Sequence, residues 1–162
     1  MLVTGAAFWQ FVLAVHVLAV VAGFGVVFAY PLFALAGARM DPGALPWFHR
    51  VQQLISRRLI NPSLAVILIA GIYLASDQHQ WKKFYVGWGI VAVIAIGALE
   101  GAVISRGQGK LAALAARDVA AAGAGAVTWS AEYEQQAKRV RAFAALESLI
   151  VVVTVVLMSV QA

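Results

Sequence analysis

Four long apolar stretches divide the chain, and they lie near residues 6–30, 55–75, 84–104 and 142–160. An α-helix needs about 20 apolar residues to cross the hydrocarbon layer of a bilayer, and each stretch is close to that length or longer. None of them shows the alternation of apolar and polar residues that a transmembrane β-strand requires. The pattern predicts an all-α membrane protein whose residues 1–162 form one domain, a bundle of four transmembrane helices.

The composition decides how the basic residues are interpreted. Hydrophobic residues make up 63% of the chain and charged residues 12%, so we expect the lipid bilayer to be the solvent of this protein. A net charge of +5 would suggest nucleic-acid binding in a soluble protein, but these basic residues cluster in loops between apolar stretches. We therefore expect no nucleic-acid partner. The absence of cysteine excludes disulfides, iron–sulfur clusters and thiolate metal sites.

The basic residues also predict an orientation. Ten of the twelve lie in or at the edges of the first and third loops, namely Arg39, Arg50, Arg57, Arg58, Arg106, Lys110, Arg117, Lys138, Arg139 and Arg141. Short cytoplasmic loops of membrane proteins carry an excess of lysine and arginine. Loops 31–54 and 105–141 are thus predicted to be cytoplasmic, with both termini on the other side of the inner (plasma) membrane.

The third loop is predicted to be a helical hairpin that extends spans three and four into the cytoplasm. Residues 110–122 are rich in Ala and Leu, which are strong helix formers. Gly123 and Gly125 follow as helix breakers, and Ser130 is a candidate N-cap for a last helix that begins at residue 131. The alternative is a flexible loop rich in Ala and Gly.

Three ionisable residues lie inside the apolar stretches, where charge is costly and function is often found: His16, Glu100 and Glu147. His16 falls near the middle of span one, and Gly23 lies two turns away on the same helical face. A groove at Gly23 would suit a flat macrocycle whose iron is bound by His16, as in haem proteins. The alternative is a histidine that hydrogen-bonds to a neighbouring helix.

The two glutamates are predicted to share one depth near the cytoplasmic ends of spans three and four. Arg57, Arg58 and Arg106 fall near the same level, so one interpretation is a structural ion-pair cluster. The other interpretation is a proton route or a substrate-binding ring. Both use the same residue types, so the choice stays open.

Asn61 and Pro62 lie early in span two. A proline inside a helix removes a hydrogen bond and bends the helix, and this is the prediction we prefer. Asn61 could instead be an N-cap with Pro62 at the first helical position, but that would leave only about fourteen apolar residues to span the membrane.

Several of these residues recur in a known arrangement. The chain contains, in order, His16-Val-Leu-Ala-Val, Pro31, Arg57, Asn61-Pro62, Gly71, Trp81-x-Lys83 and Glu147. This set resembles the four-span bacterial protoporphyrinogen oxidases that bind haem. The resemblance implies haem b as cofactor, His16 as the ligand of its iron, and a functional lysine, Lys83, at the mouth of span three. Arg57 and Glu147 are then candidate catalytic residues beside Lys83, and Asn61 joins His16 and Gly23 as a candidate cofactor-binding residue.

The chain departs from that family at three polar positions. Leu32 follows the span-one proline where the family has arginine, Ile94 or an apolar neighbour replaces a second histidine, and Leu146 replaces an asparagine. These changes bear on the catalytic pattern more than on haem binding. The chain also resembles the uncharacterised four-span predicted integral membrane proteins and the membrane domain of copper-resistance protein D.

These observations lead to three functional hypotheses. The first is a membrane protein related to the haem-binding oxidases and acting in redox or porphyrin chemistry. The second is a non-enzymatic partner or assembly protein without cofactor, which acts through the hairpin on another membrane protein or on a second copy of itself. The third is copper or small-ion transport, which the lack of Cys and the presence of only three Met disfavour.

Overall fold

The structure is a computed structural model that describes residues 5–37 and 39–161. Its helices are α1 (Gly5–Gly37), α2 (Leu45–Ile55), α3 (Asn61–Asp77), α4 (Phe84–Ala98), α5 (Ser105–Ala122) and α6 (Ala131–Gln161). A short 3₁₀ turn, Pro42–Ala44, precedes α2. Two π-helical turns, Ser56–Ile60 and Leu99–Ile104, join α2 to α3 and α4 to α5. Each of these pairs is therefore one continuous rod, and no strand occurs in the described residues.

Four helical segments of the described chain are long and apolar enough to cross a membrane: Phe8–Tyr30, Pro42–Asp77, Phe84–Ala122 and Ala131–Val160. Large apolar side chains such as Phe11, Leu18, Ile69 and Leu149 are exposed on the outside of the bundle. Water would penalise such a surface, whereas lipid tails match it. The predicted all-α bundle of four membrane-spanning helices is confirmed.

The helices pack pairwise around two clusters of core side chains. α1 lies along α3, α2 along α5, and α4 along α6. The core side chains at the crossings include Phe24, Val27, Ile60, Ile67, Ile96 and Val151. Gly23 allows a close approach of α1 to α3, because a Cβ added there would lie 2.9 Å from Ser63 Cβ. The apolar side chains thus hold the bundle together, and one missing side chain sets the spacing of two helices.

The ends of spans one and two differ from the prediction. α1 continues to Gly37 instead of ending near residue 30, and residues 45–54 of the predicted loop 31–54 belong to the helix α2. α2 is stabilised by tertiary packing, since its Phe48 and Leu45 cover the backbone of Gly37 and the helix lies along α5. The loop was predicted from a local excess of polar residues, which does not report that packing.

The hairpin is as predicted, and the flexible-loop alternative is wrong. α5 ends at Ala122, and Gly123 adopts a positive φ of 55°, which favours glycine. The Ser130 hydroxyl accepts the Tyr133 N–H at 3.3 Å and so caps α6. Asp118 of α5 accepts the Ser130 N–H at 2.9 Å and its hydroxyl at 2.8 Å. These donors hold the pKa of Asp118 below its ordinary value.

Ion pairs add to the hairpin. Glu132 lies 3.1 Å from Lys110 and 3.2 Å from Arg117, and thus links the start of α6 to α5. All three residues are exposed, so we assign these pairs a small share of the stability.

Asn61 and Pro62 lie inside a continuous helix, so the N-cap alternative is wrong. The Asn61 N–H donates to the Ser56 carbonyl, five residues back, instead of to the residue four back. Pro62 has no N–H to donate, which already removes one α-helical bond at this point. The predicted bend stays a prediction, and the structure has a π-helical turn directly before Asn61; π-turns inside helices often mark functional sites.

Candidate functional site

Two cavities occupy opposite ends of the bundle. The His16 cavity, with a volume of about 590 Å³, lies between α1, α3, α4 and α6 at the end that carries the loop 78–83. The hairpin cavity, with a volume of about 630 Å³, lies between α1, α2, α5 and α6 at the other end. Both volumes fall in the range of about 300–1,000 Å³ that is typical of small-molecule sites.

The walls of the His16 cavity are mainly apolar. They include Trp9, Phe24, Ile67, Val93 and Met158. Polar side chains line it near the loop, where Gln78, Gln80 and Tyr85 contribute. The cavity is therefore suited to a largely apolar ligand with a polar edge that points toward the loop.

His16 is the histidine of this wall. A Cβ added at Gly71 would lie 3.3 Å from His16 Cε1 and 3.7 Å from Nδ1, so the ring edge packs on the bare backbone of α3. Nδ1 is buried beside Ile67, yet it has no partner that meets hydrogen-bond geometry. The Ile67 backbone of α3 is the neighbour of the ring, so the hydrogen bond to a neighbouring helix, our alternative for this residue, stays open and would leave Nε2 free. The ring can therefore offer Nε2 to a ligand in the cavity, as histidines that bind metals do.

The other predicted cofactor-binding residues lie elsewhere. The space at Gly23 is filled by Ser63, so the groove that was predicted there does not border the His16 cavity. Asn61 is half-buried at the end of a π-helical turn and also does not line the cavity. The glycine that makes room beside His16 is Gly71, which the sequence showed only as a landmark of the resemblance.

Lys83, a predicted catalytic residue, lies in the loop next to the His16 cavity but does not line it. It is the N-cap residue of α4, its side chain is exposed, and its N–H donates to the Gln80 carbonyl at 2.9 Å. Gln80 and Tyr85 on either side of it line the cavity. The other two predicted catalytic residues, Arg57 and Glu147, do not line this cavity.

The predicted ion-pair cluster at the two glutamates is not formed. Arg57 is exposed, and its Nε donates to the Ser105 hydroxyl at 3.4 Å. In residues 5–37 and 39–161, the ion pairs within 4.0 Å all belong to the hairpin. The structural ion-pair interpretation is therefore wrong, because the arginines turn toward the surface and the carboxyl groups turn inward.

The glutamates instead form a cluster with two hydroxyl groups, and we call Tyr30, Ser56, Glu100 and Glu147 the carboxyl cluster. Ser56, Glu100 and Glu147 are 0% exposed, and the two carboxyl groups are neighbours. The Tyr30 hydroxyl donates to Glu100 Oε1 at 3.4 Å, and Ser56 lies beside the same carboxyl group. Glu100 Oε2, both Glu147 oxygens and Ser56 Oγ have no hydrogen-bond partner in the described structure. The shared depth of the glutamates was predicted, but their hydroxyl neighbours were not.

The hairpin cavity contains a buried histidine, His49, that sequence reasoning placed in a loop. His49 Nδ1 lies 2.8 Å from Gln108 Oε1, and Nε2 lies 3.0 Å from the Tyr133 hydroxyl. The Gln108 oxygen can only accept, so Nδ1 carries a proton, whereas the Tyr133 hydroxyl can donate to Nε2 or accept from it. Its partners are 59 and 84 residues away in sequence, so no local pattern could have found them.

The described residues contain no group of three or more His, Cys, Asp or Glu that could hold a metal ion. Comparisons of the chain with models of protein families, with curated proteins and with solved structures find no match. The resemblance to the haem-binding oxidases and to the copper-resistance membrane domain therefore stays a prediction.

Proposed function

We propose that this chain is an integral membrane protein that binds haem b in the His16 cavity, with His16 Nε2 as a ligand of the iron. The observation that carries the proposal is the imidazole of His16 in the wall of a mainly apolar cavity of about 590 Å³, where it is the one histidine among the described lining residues. The positive-inside rule orients the proposed protein with its hairpin in the cytoplasm and the His16 cavity toward the opposite side of the inner membrane.

The residues present fit this cofactor. One imidazole nitrogen is sufficient to attach haem iron, so a cluster of several ligands is not needed. The apolar walls match the macrocycle, and the notch at Gly71 lets the imidazole lie close to α3. The propionates of haem are carboxylates, and Gln78, Gln80 and Lys83 at the loop end offer amide and ammonium donors.

When bound, haem would supply one-electron redox chemistry, with a porphyrin or another molecule as the electron donor. In this proposal His16 holds the iron and the apolar walls exclude water. Lys83 binds a carboxylate at the cavity mouth. Arg57 and Glu147 do not line the cavity, so they receive no role at the cofactor.

The visible spectrum of the purified protein tests the proposal. The protein is produced with haem available, extracted in detergent, and compared as wild type, His16→Ala and His79→Ala. His79 is exposed in the loop and controls for the loss of any histidine. We expect a Soret band in the wild type and in the His79 variant, and its loss in the His16 variant. A colourless wild type, or a Soret band unchanged by His16→Ala, would overturn the proposal.

A second candidate function is a partner protein without cofactor, and the hairpin cavity favours it. Phe48, Trp129 and Tyr133 line this cavity, and Trp129 stacks on Tyr133 at a centroid distance of 4.6 Å. Aromatic side chains in a pocket are typical anchors of protein interfaces. We expect Trp129→Ala to abolish co-purification of a membrane partner while Trp81→Ala, in the opposite loop, leaves it unchanged. Equal recovery of the partner with both variants would exclude the hairpin cavity as the docking site.

A further inference from the structure

The carboxyl cluster lies at the point where both rods change from α- to π-helical geometry. Ser56 opens one π-helical turn and Glu100 is the second residue of the other. The two turns contact each other, and Glu147 of α6 reaches the same point. A π-turn inserts one extra residue and redirects the side chains of its helix. Here both insertions bring polar groups to the centre of an otherwise apolar packing layer.

No cation neutralises this cluster in the described structure. The groups that face it are the Tyr30 phenol from α1, Ser56 from the α2–α3 rod, Glu100 from the α4–α5 rod and Glu147 from α6. The arginines of the same rods, Arg57, Arg58 and Arg106, are exposed and make no ion pair with either carboxyl group. Two neighbouring carboxylates, both ionised and unpaired in an apolar interior, would be very costly. The pair must therefore take up a positive charge.

The space at the pair favours a proton over a metal ion. Neither Glu100 nor Glu147 lines the His16 cavity or the hairpin cavity, so neither of these two cavities gives the pair space for an ion with its oxygen ligands. A proton needs no void, because it can lie between one carboxyl group and the next, as in the carboxyl pairs of aspartic proteases.

Tyr30 connects the pair to the outside of the bundle. Its hydroxyl donates to Glu100 Oε1 at 3.4 Å, and the same residue lines the hairpin cavity. That cavity also includes the exposed residues Glu134 and Arg141, so it opens to solvent at the hairpin. A phenol can donate and accept at once. It can give its proton to Glu100 while taking another from the cavity, which leaves the tyrosine unchanged and moves one proton inward.

We propose that Glu100 and Glu147 share a buried, exchangeable proton, and that Tyr30 is the gate through which this proton exchanges with the hairpin cavity. The site is separate from the His16 cavity and does not depend on haem. It gives the bundle a proton-binding centre that opens toward one face of the membrane.

Infrared spectroscopy of the full-length protein in detergent tests the first part. A protonated carboxyl group has a C=O stretching band that shifts when its proton is replaced by deuterium. We expect this band in the wild type and its loss in the double variant Glu100→Gln/Glu147→Gln, which keeps the shape of both side chains. The same band in the wild type and in the folded double variant would overturn the shared proton.

The rate at which the band shifts in D₂O tests the gate. Tyr30→Phe keeps the buried ring and removes only the hydroxyl, and Tyr85→Phe in the His16 cavity is the matched control. We expect exchange at least tenfold slower in Tyr30→Phe than in wild type, and an unchanged rate in Tyr85→Phe. An equal rate in all three proteins would overturn the gate. Because Tyr30→Phe preserves the packing, this measurement stands even if the double variant fails to fold.

Discussion

Gly71 controls the position of His16, and Gly71→Ala is the sharpest perturbation of the His16 cavity. The added methyl carbon would lie 3.3 Å from His16 Cε1. Two carbon atoms prefer a separation of about 3.5–4.0 Å, so the imidazole must move by a few tenths of an ångström. The imidazole borders the His16 cavity and can move into it. The strain should therefore fall at the low end of the usual cost of overpacking, which is about 1–3 kcal/mol.

A cost of about 1 kcal/mol corresponds to a roughly fivefold loss of affinity if it acts on the bound state. The assay is a titration of the apo protein with haem in detergent, followed by the visible absorption band. Gly87→Ala is the matched control, because it makes the same chemical change in α4 where no heavy atom lies within 4 Å of the new carbon. Alanine also favours a helix over glycine, so the apo bundle should not lose stability.

We expect a roughly fivefold higher Kd for Gly71→Ala and a wild-type Kd for Gly87→Ala. If Gly71→Ala and wild type bind haem with equal affinity while His16→Ala still does not bind haem, then haem binding does not depend on the position of the imidazole against α3. The reasoning from the Gly71 contact would then be refuted.

Two further predictions concern the stability of the bundle and of the hairpin. Gly23→Ala should lower the stability of the bundle by about 1–3 kcal/mol, because its Cβ would lie 2.9 Å from Ser63 Cβ; unfolding in mixed detergent measures this, and an unchanged midpoint would contradict it. Asp118 has a pKa below its ordinary value because Ser130 donates to its carboxylate, so its contribution is present at neutral pH and lost as the pH falls through the lowered pKa. Hydrogen exchange of the backbone amides of residues 123–130, corrected for its intrinsic pH dependence, should accelerate in acid for the wild type and be independent of pH in Asp118→Asn. Equal pH dependence in the two proteins would show that the Asp118 carboxylate does not stabilise this turn.

The His16 cavity and the carboxyl cluster are separated by apolar side chains. The His16 cavity and the carboxyl cluster occupy different depths of one bundle, with Phe24, Val27 and Val151 of the apolar core nearby. An apolar core disfavours the passage of charge, so proton exchange at the cluster is directed to the hairpin side. A cofactor in the His16 cavity would face the other side.

The spans and the hairpin could be predicted because their signals are local. The length of an apolar run predicts a span, while Gly123 and Ser130 mark the turn that ends α5 and begins α6. The equal depth of Glu100 and Glu147 followed from the rise per residue of a helix. None of these inferences requires knowledge of which helix lies beside which.

The sequence by itself determined the number of spans, the helical hairpin and the positions of His16, Glu100 and Glu147 within their spans, because those depend on distance along one helix. Only the tertiary structure decided that Gly71 and not Gly23 faces His16, that Tyr30 and Ser56 join the carboxyl groups, and that the arginines turn away. The physical reason is rotation about the helix axis. A membrane helix that is apolar on all sides carries no amphipathic pattern to mark its buried face, so its rotation and its neighbours are set by packing alone.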